Sequence, residues 1–486
     1  MQPNEQPAVP VVFAMICRLL FVAALLLAPL STGIAQGADT IRISITDALT
    51  RVLRESDEIR IGQAQLEVTG AQVTQARASG LPALNLRGSY TQQTRNARAT
   101  IVSGSIFGQN YTYTTTLALT QPIFQGGRIF AGMRAANEAR EASRQNLAET
   151  RARLTMDAQS AYLTAILARE LVLIQEGNAV LADARLAQVQ QLERGGRASR
   201  YDLLKARVDR ANLEPALLQA RSNRELADIE LKQLLNYPGD APIALTQELD
   251  TAQLRAAVAS IVSAVGEGAV SRATIRAAEA TVDVRREGIR IARADFMPTF
   301  SAFFNNGYTA LPASSGFPTV WGNTSASNCP PDSPEGRVCQ NNGWYPDRSF
   351  GVQMAWPIFD GLRTKGAVDL AGAQERVARA QLDLTRELVA VEVARAKAEF
   401  VRAEATFNAN QQNTAEADEA YRIAALRFER GLGTQLEVND AQFSLLTARV
   451  NAARATIDYY LAAAELARSH GREIPPPPMR PASATR

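Results

Sequence analysis

The chain repeats itself, and that repetition limits its possible folds more sharply than its length does. Ala118–Arg128 reads ALTQPIFQGGR and Gln353–Arg363 reads QMAWPIFDGLR. Pro-Ile-Phe thus recurs about 235 positions apart, with Gly126/Gly361 and Arg128/Arg363 matched at the same offset. Further on, Ser199–Arg207 (SRYDLLKAR) and Thr434–Gln442 (TQLEVNDAQ) keep that offset, so one register holds across a long block. Upstream, Ala76–Pro82 (ARASGLP) pairs with Ala292–Pro298 (ARADFMP) at a shift about nineteen residues smaller. Register is lost between the two proline marks, which gives the second copy an enlarged loop.

Each copy reads in the same order: helix, strand, loop, strand, very long helix, turn, helix. From Ile45 to Ser79 and from Thr251 to Ala294, small and apolar residues recur at helical spacing without proline. Alternation follows. Leu84, Leu86 and Tyr90 interleave with Asn85, Arg87 and Ser89, and Tyr111, Tyr113, Leu117 and Leu119 interleave with Thr112, Thr114, Thr116 and Thr120. The second copy repeats this with Phe300, Ala302 and Phe304 against Ser301 and Asn305, then Phe350, Val352, Met354 and Trp356 against Gly351, Gln353 and Ala355. After each Pro-Ile-Phe the chain runs without proline, from Arg128 to Glu214 and from Ile358 to Ile474. Residues 128–193 and 363–429 each predict one helix on the order of 100 Å long. No globular core needs such rods, and their small apolar positions (Ala131, Ala135, Ala142, Ala158 and Ala165, with Leu147, Leu154 and Leu163) suit close coiled packing. Pro215 predicts a kink or bend in the helix that follows the first turn.

The expected organisation is therefore a signal at 1–35, a first repeat at 36–236, a linker at 237–250, a second repeat at 251–470 and a proline-rich, disordered tail at 471–486. In the first repeat the strands are 84–92 and 111–121, the long helix 128–193 and the returning helix 199–236. In the second they are 299–306 and 349–357, then 363–429 and 434–470.

Composition sets the compartment and excludes several partners. Lys and Arg number 52 against 49 acids and are interleaved with them along helical faces, which is no nucleic-acid footprint. Arg18 precedes an apolar run from Leu19 to Ala28 and a small-residue exit at Gly33-Ile34-Ala35, the pattern of a secretory signal. The polar, proline-rich residues 1–14 make Met15 the expected start. Cys17 lies before the apolar run, where it cannot carry a lipid anchor. Cys329 and Cys339, in a Pro/Asn/Ser-rich stretch of an exported chain, read as a disulfide rather than a metal site, with no His or third Cys nearby. Beyond the signal there is no apolar stretch of about 18 residues, so a membrane would have to be crossed by strands.

Four strands cannot close a barrel, which takes at least about eight. A lone four-stranded sheet would leave two rows of unpaired backbone groups in lipid, each group costing several kcal/mol. Strands from several chains must then share one barrel, apolar outside and Ser/Thr/Asn-rich inside. Tyr90, Tyr111, Tyr113, Phe124, Trp356 and Phe359 fall near strand ends, as interface aromatics do.

This succession of helix, strand pair, long helix, turn and helix resembles the TolC-type outer-membrane efflux proteins. So do the Pro-Ile-Phe junctions and the turn signatures Gly196-x-x-Ser199-x-x-Asp202 and Gly431-x-x-Thr434-x-x-Glu437. The resemblance covers roughly residues 40–470, and without a lipidation cysteine it favours the type I secretion and multidrug branch. It implies mainly helical protomers with membrane strands, a homotrimer with a twelve-stranded barrel in outer-membrane lipid, and a twelve-helix periplasmic tunnel. A periplasmic adaptor and an inner-membrane pump are the implied partners, and no cofactor is. The junctions are Pro122, Phe124 and Gly126 in one copy and Pro357, Phe359 and Gly361 in the other. The tip that meets the adaptor is Arg194, Gly195, Gly196 and Ser199 with Arg430, Gly431, Gly433 and Thr434. Turn chemistry alone also accounts for these residues, since Gly permits the reversal and Ser199 or Thr434 caps the next helix. Glu437 and Asp440, with Asp202 at the equivalent place in the first turn, match an acidic entrance gate, while an acid in a first turn also favours the helix dipole. Where the best-known relatives place a basic latch residue, this chain has Gly433.

An enzyme is not indicated, because His470 is the lone histidine and no nucleophile elbow, phosphate loop or metal cluster occurs. The competing class is a secreted coiled-coil scaffold or adhesin without a pore. The first test concerns export. The mature protein is expected to begin at Gln36, read by N-terminal sequencing of membrane-extracted protein, and a blocked, lipid-modified or uncleaved start would contradict it.

Overall fold

The computed structural model describes residues 40–95, 110–266, 270, 272–311, 317, 320–321 and 343–482. The expected signal, Met15, Cys17 and the pair Cys329 and Cys339 lie outside the described residues. In chain order the elements are β1 (Ile41–Ile43), α1 (Ile45–Glu55), α2 (Asp57–Ala78), β2 (Ala83–Gln92), β3 (Tyr111–Gln125) and α3 (Arg128–Arg194). Then come α4 (Arg200–Ala211), α5 (Leu213–Leu234), β4 (Ile243–Leu245), β5 (Gln247–Leu249), α6 (Thr251–Gly266) and α7 (Ala273–Arg293). The chain closes with β6 (Thr299–Ala310), β7 (Val320–Trp321), β8 (Gly343–Ala355), α8 (Arg363–Glu429), α9 (Gln435–Ser469) and β9 (Met479–Pro481).

Two rods of 67 residues each, α3 and α8, run about 100 Å and set the long axis of the helical part. Shorter helices lie along them: α2, α5 and α7 on α3, and α7 and α9 on α8. The helix expected between Ile45 and Ser79 is two, broken where Ser56 leaves the helical region at φ −62°, ψ 132°. The helix expected over 199–236 is also two. Its break falls at Asn212, three residues before Pro215, because a proline has no N–H to offer the carbonyl of Ala211. The segment expected as one helix over 251–294 divides into α6 and α7.

The buried core sits at mid-rod. Leu154, Tyr162 and Leu163 of α3 meet Phe400 and Phe407 of α8 and Tyr459 and Tyr460 of α9, the rings of Phe407 and Tyr459 stacking at 4.8 Å. Helix α1 is recruited there because Ile45, Ala48 and Val52 share one face, and a Ser44/Asp47 capping box starts it cleanly. Each such large side chain contributes about 1.5–3 kcal/mol on burial. Towards the ends cover is thin: Val189, Leu203 and Ala206 form a small cluster near one end, and Val282, Ala378 and Leu382 another.

An ionic junction lies beside the core. Arg272, 5% exposed, donates to Glu149 of α3 at 2.8 Å and to Glu392 of α8, while Arg468 of α9 reaches Glu149 at 3.3 Å and Glu465 at 2.6 Å. Its value is positional: losing one member strands a buried charge, which costs far more than the pair itself contributes.

The tail corrects an expectation. Residues 471–482 are not disordered: Ile474 is buried, and β9 pairs antiparallel with β5. The carbonyl of Pro475 accepts from the Tyr460 hydroxyl and from Gln159 Nε2 at 3.1 Å. A proline run makes no internal hydrogen bonds, so its carbonyls are free for other donors, and here α3 and α9 supply them. Tyr460→Phe removes the single hydroxyl proton that Pro475 O and the buried Gln159 Oε1, 3.0 Å away, share. It is expected to lower unfolding free energy by about 1–3 kcal/mol. Chemical denaturation of detergent-extracted protein measures this, and an unmoved midpoint would mean that the Tyr460 hydroxyl adds no stability.

Candidate functional site

The sheet is ordered β2-β3-β6-β8, antiparallel throughout, and β7 touches β8 only at Gly343 and Trp344. Register converts the alternation in sequence into two faces. Leu84, Leu119, Phe304 and Phe350 stand side by side across four strands, and Ala302 faces Val352 and Phe300 faces Met354 on the same side. The opposite face carries the row Asn85, Ala118, Asn305 and Ser349, and a row with Ser89, Thr114 and Thr309. Hydroxyls of Ser89 and Thr114 bond at 2.6 Å. Phe303 is an apolar exception on the polar side. It lies over Gly351, where an added Cβ would come within 3.1 Å of its ring. The apolar face is bare, with Phe350 at 85% and Leu86 at 71% exposure.

Among the described residues both sheet edges are open. Strand β2 pairs on one side only along its whole length, and β8 does so from Tyr345 to Ala355. Aromatic pairs mark the two ends of the bare face. Tyr90 and Tyr113 lie at 4.8 Å with Trp344 beyond, and Phe124 and Phe300 at 6.3 Å near the rods, where Trp356 Nε1 also donates to Phe296 O at 3.2 Å. From Phe300 to Ala310 the strand rises roughly 25 Å at the usual barrel tilt, the height of a membrane barrel's apolar band.

At the junctions the sheet hands over to the rods. Pro122, which offers no N–H, coincides with a register shift before Phe124, and the next residues turn sharply. Gly126 and Gly127 have φ of 59° and 83°, and a Cβ on Gly126 would stand 2.5 Å from Ala294 O, so that position takes nothing larger. At the second junction, after Pro357 and Phe359, Gly361 and Leu362 both have φ 68°. Leu362 thus carries a side chain in the left-handed region, where the first junction has Gly127.

The tip shows why glycine recurs at these turns. Gly196 (φ 68°) and Gly431 (φ 74°) let each rod end in a Schellman turn: Arg197 N donates to Leu192 O and Leu432 N to Arg427 O, both at 2.8 Å. Gly195 and Arg430 precede them as the last residues of the turn, Arg194 ends α3, and Gly433 is not in the left-handed region. Ser199 then caps α4 in a full capping box, with Asp202 N on Ser199 Oγ at 3.1 Å and Ser199 N on Asp202 Oδ2 at 3.0 Å. The Ser199 hydroxyl, donating to Asp202 Oδ2 at 2.7 Å, and the Ser199 N–H beside it hold the Asp202 carboxyl below the usual carboxylate range. Thr434 caps α9 through Glu437 N at 3.3 Å, while Glu437 and Asp440 remain exposed. A Cβ on Gly433 would stand 3.3 Å from both Arg427 Cβ and Glu437 Oε2.

Above the turns, ties between the two helical hairpins appear that sequence reasoning missed, because each joins residues more than 200 positions apart. Asn439 Nδ2 donates to Asp209 at 2.8 Å and Gln442 Nε2 to Asn178 at 2.6 Å. The Arg185 guanidinium lies 3.7 Å over the Phe428 ring. His470 closes the end of α9, its Nδ1 2.9 Å from Leu466 O.

An edge-open sheet, lipid-compatible on one side and hydrated on the other, carried by rods of this length, belongs to the class of membrane channel subunits. The chain is a member of the outer membrane efflux protein family, whose model matches residues 48–237 and 265–472. Outer membrane efflux protein BepC of Brucella suis biovar 1 is 23% identical over 458 residues, covering 94% of this chain and 91% of that protein. Protein CyaE of Bordetella pertussis is 25% identical over 409 residues, with 84% and 79% covered. Among solved structures, CusC matches with a TM-score of 0.70 at 18% identity, covering 88% of this chain and 92% of that one. The MtrE channel of Neisseria gonorrhoeae in its open state matches at 0.64 and 19%, with 88% and 89% covered. The protein therefore resides in the outer membrane with its helical part in the periplasm and acts as a passive exit channel, neither an enzyme nor a poreless adhesin.

Two local substitutions test the turns. Leu362→Gly is expected to stabilise by about 1 kcal/mol, having removed a left-handed side chain, whereas Gly126→Ala destabilises strongly. Asp202 gives a pH signature: its depressed folded pKa contributes stability above about pH 4 that is lost as pH falls through the folded value. Asp202→Asn should flatten that part of the stability profile in urea titrations, and an unchanged acid limb would remove Asp202 from the cap.

Proposed function

We propose that three copies of this chain close one twelve-stranded barrel by joining β8 of each to β2 of the next, and that their rods continue it as a twelve-helix tunnel. The observation that carries this is the sheet itself: two unpaired edges and an apolar face cannot rest in lipid as a monomer. The polar face, with Asn85, Asn305, Ser349, Ser89 and Thr114, then lines a watered bore. The domain plan is a signal at 1–35 and two repeats, 36–236 and 251–470, each giving two strands, a rod and a returning helix. The Cys329–Cys339 disulfide clips the large external loop.

The duct is the outer part of a tripartite export system of the type I secretion or multidrug kind. A periplasmic adaptor docks at the tip formed by Arg194, Gly195, Gly196 and Ser199 with Arg430, Gly431, Gly433 and Thr434, and an inner-membrane pump drives transport. Glu437 and Asp440 are exposed on α9 just past the turn, so threefold symmetry makes rings of carboxylates at the entrance. Asp202 contributes less there, because its carboxylate is already engaged by Ser199.

Reconstitution in planar bilayers tests both levels. The wild type is expected to migrate as a heat-sensitive trimer and to conduct with cation preference, and the double change Glu437→Ala, Asp440→Ala is expected to reduce that preference severalfold. A stable, non-conducting monomer would overturn the duct. Conductance with unaltered selectivity would overturn only the gate.

A further inference from the structure

Alternation and register assign every described residue of the sheet to one face, and the outward face carries a single charge among them. It is Arg348 of β8. Asp347 beside it points to the polar side, as successive strand residues do. Arg348 is exposed, lies opposite Asn306 of β6, and its Nε donates to Asn306 Oδ1 at 2.9 Å. That bond fixes the guanidinium plane but leaves its charge unbalanced, since Asn306 is neutral. The two Nη groups have no partner among the described residues.

A charge on the lipid face of a barrel is unfavourable in a depth-dependent way and calls for a counter-charge. Among the described residues a second copy does not bring one. The outward residues of β2, the edge that would meet β8, are Leu84, Leu86, Gly88, Tyr90 and Gln92. Depth favours the outer leaflet: along β8, Arg348 lies about 10 Å from the level of Trp344 at the loop end and roughly 15 Å from that of Met354 at the rod end. A guanidinium on a flexible stem reaches for the nearer interface. The anions there are lipid phosphates, whose oxygens match the fork of a guanidinium that already has one edge tied.

We propose that Arg348, oriented by Asn306, binds the phosphate headgroup of an anionic outer-leaflet lipid. The inference rests on the reading that this sheet faces lipid. Removing the charge should not impair insertion, so Arg348→Gln is a usable variant, and its bilayer conductance checks its fold. Full-length wild type, Arg348→Gln and Asn306→Ala are extracted in mild detergent, exposed to phosphatidylglycerol, to bisphosphorylated lipid A or to phosphatidylcholine, and weighed by native mass spectrometry. Wild type is expected to retain the phosphate-rich lipids roughly fivefold more than Arg348→Gln, with Asn306→Ala between them and no difference for phosphatidylcholine. Millimolar inorganic phosphate should not displace the lipid; displacement would assign the site to free phosphate and overturn the lipid. Equal retention by conducting wild type and conducting Arg348→Gln would overturn the site while leaving the duct intact. A wild type that never conducts would overturn the reading on which the site depends.

Discussion

A peptide group cannot be left unpaired in hydrocarbon, and nearly everything else in this molecule follows from that. Strands β2 and β8 present open rows of N–H and C=O groups on either side of a sheet whose apolar face is bare. Shielding those rows requires more strands than one chain owns. The sharp glycine turns at Gly126 and Gly361 then become intelligible, because the chain must pass from an edge-open sheet to rods that run far from it. Gly126 also lies close against Ala294 O, so sheet and rod are joined at a contact rather than by a slack linker.

Away from the membrane, stability is concentrated rather than spread. The mid-rod core, the Arg272 junction and the docked tail lie at one level, where α1, α6 and the short strands wrap the rods. Many other ion pairs, such as Arg422 with Glu419 and Arg402 with Glu399, are exposed and lie within one helix turn, where solvent screening leaves them little weight. The tip is held by a handful of polar ties and one Arg–Phe stack. The wall is thus firm at its waist and lightly fastened at its end, so opening costs least at the end.

The rods and the main strands were legible in the sequence because each has a strong local signature: freedom from proline over scores of residues, or strict alternation. Which face each strand residue takes was legible as well, but Arg348 went unnoticed, since its meaning emerges only when four strands are aligned and it proves to be alone on its side. The strands β1, β4, β5 and β9 are three residues each, too short for any period, and β1 and β5 find partners some 200 positions away. The tail was misread for a related reason. Proline-rich composition reports what a segment can do alone, and its carbonyls were claimed by Tyr460 and Gln159, which composition does not reveal. Glycine turns were read correctly as reversals, yet nothing local marked Leu362 as the residue that would bear a left-handed backbone.

The equal size of α3 and α8 has a consequence for how such a molecule can change over time. Adding one residue to a helix turns everything beyond it by about 100° and lifts it by about 1.5 Å, so a single insertion in one rod would swing its hairpin away from the other and skew the end of the tunnel. Only paired additions that restore the facing sides, near seven residues or about 10 Å at a time, keep both tips level. Such a protein can therefore match a wider or narrower periplasm only in coarse, coordinated steps.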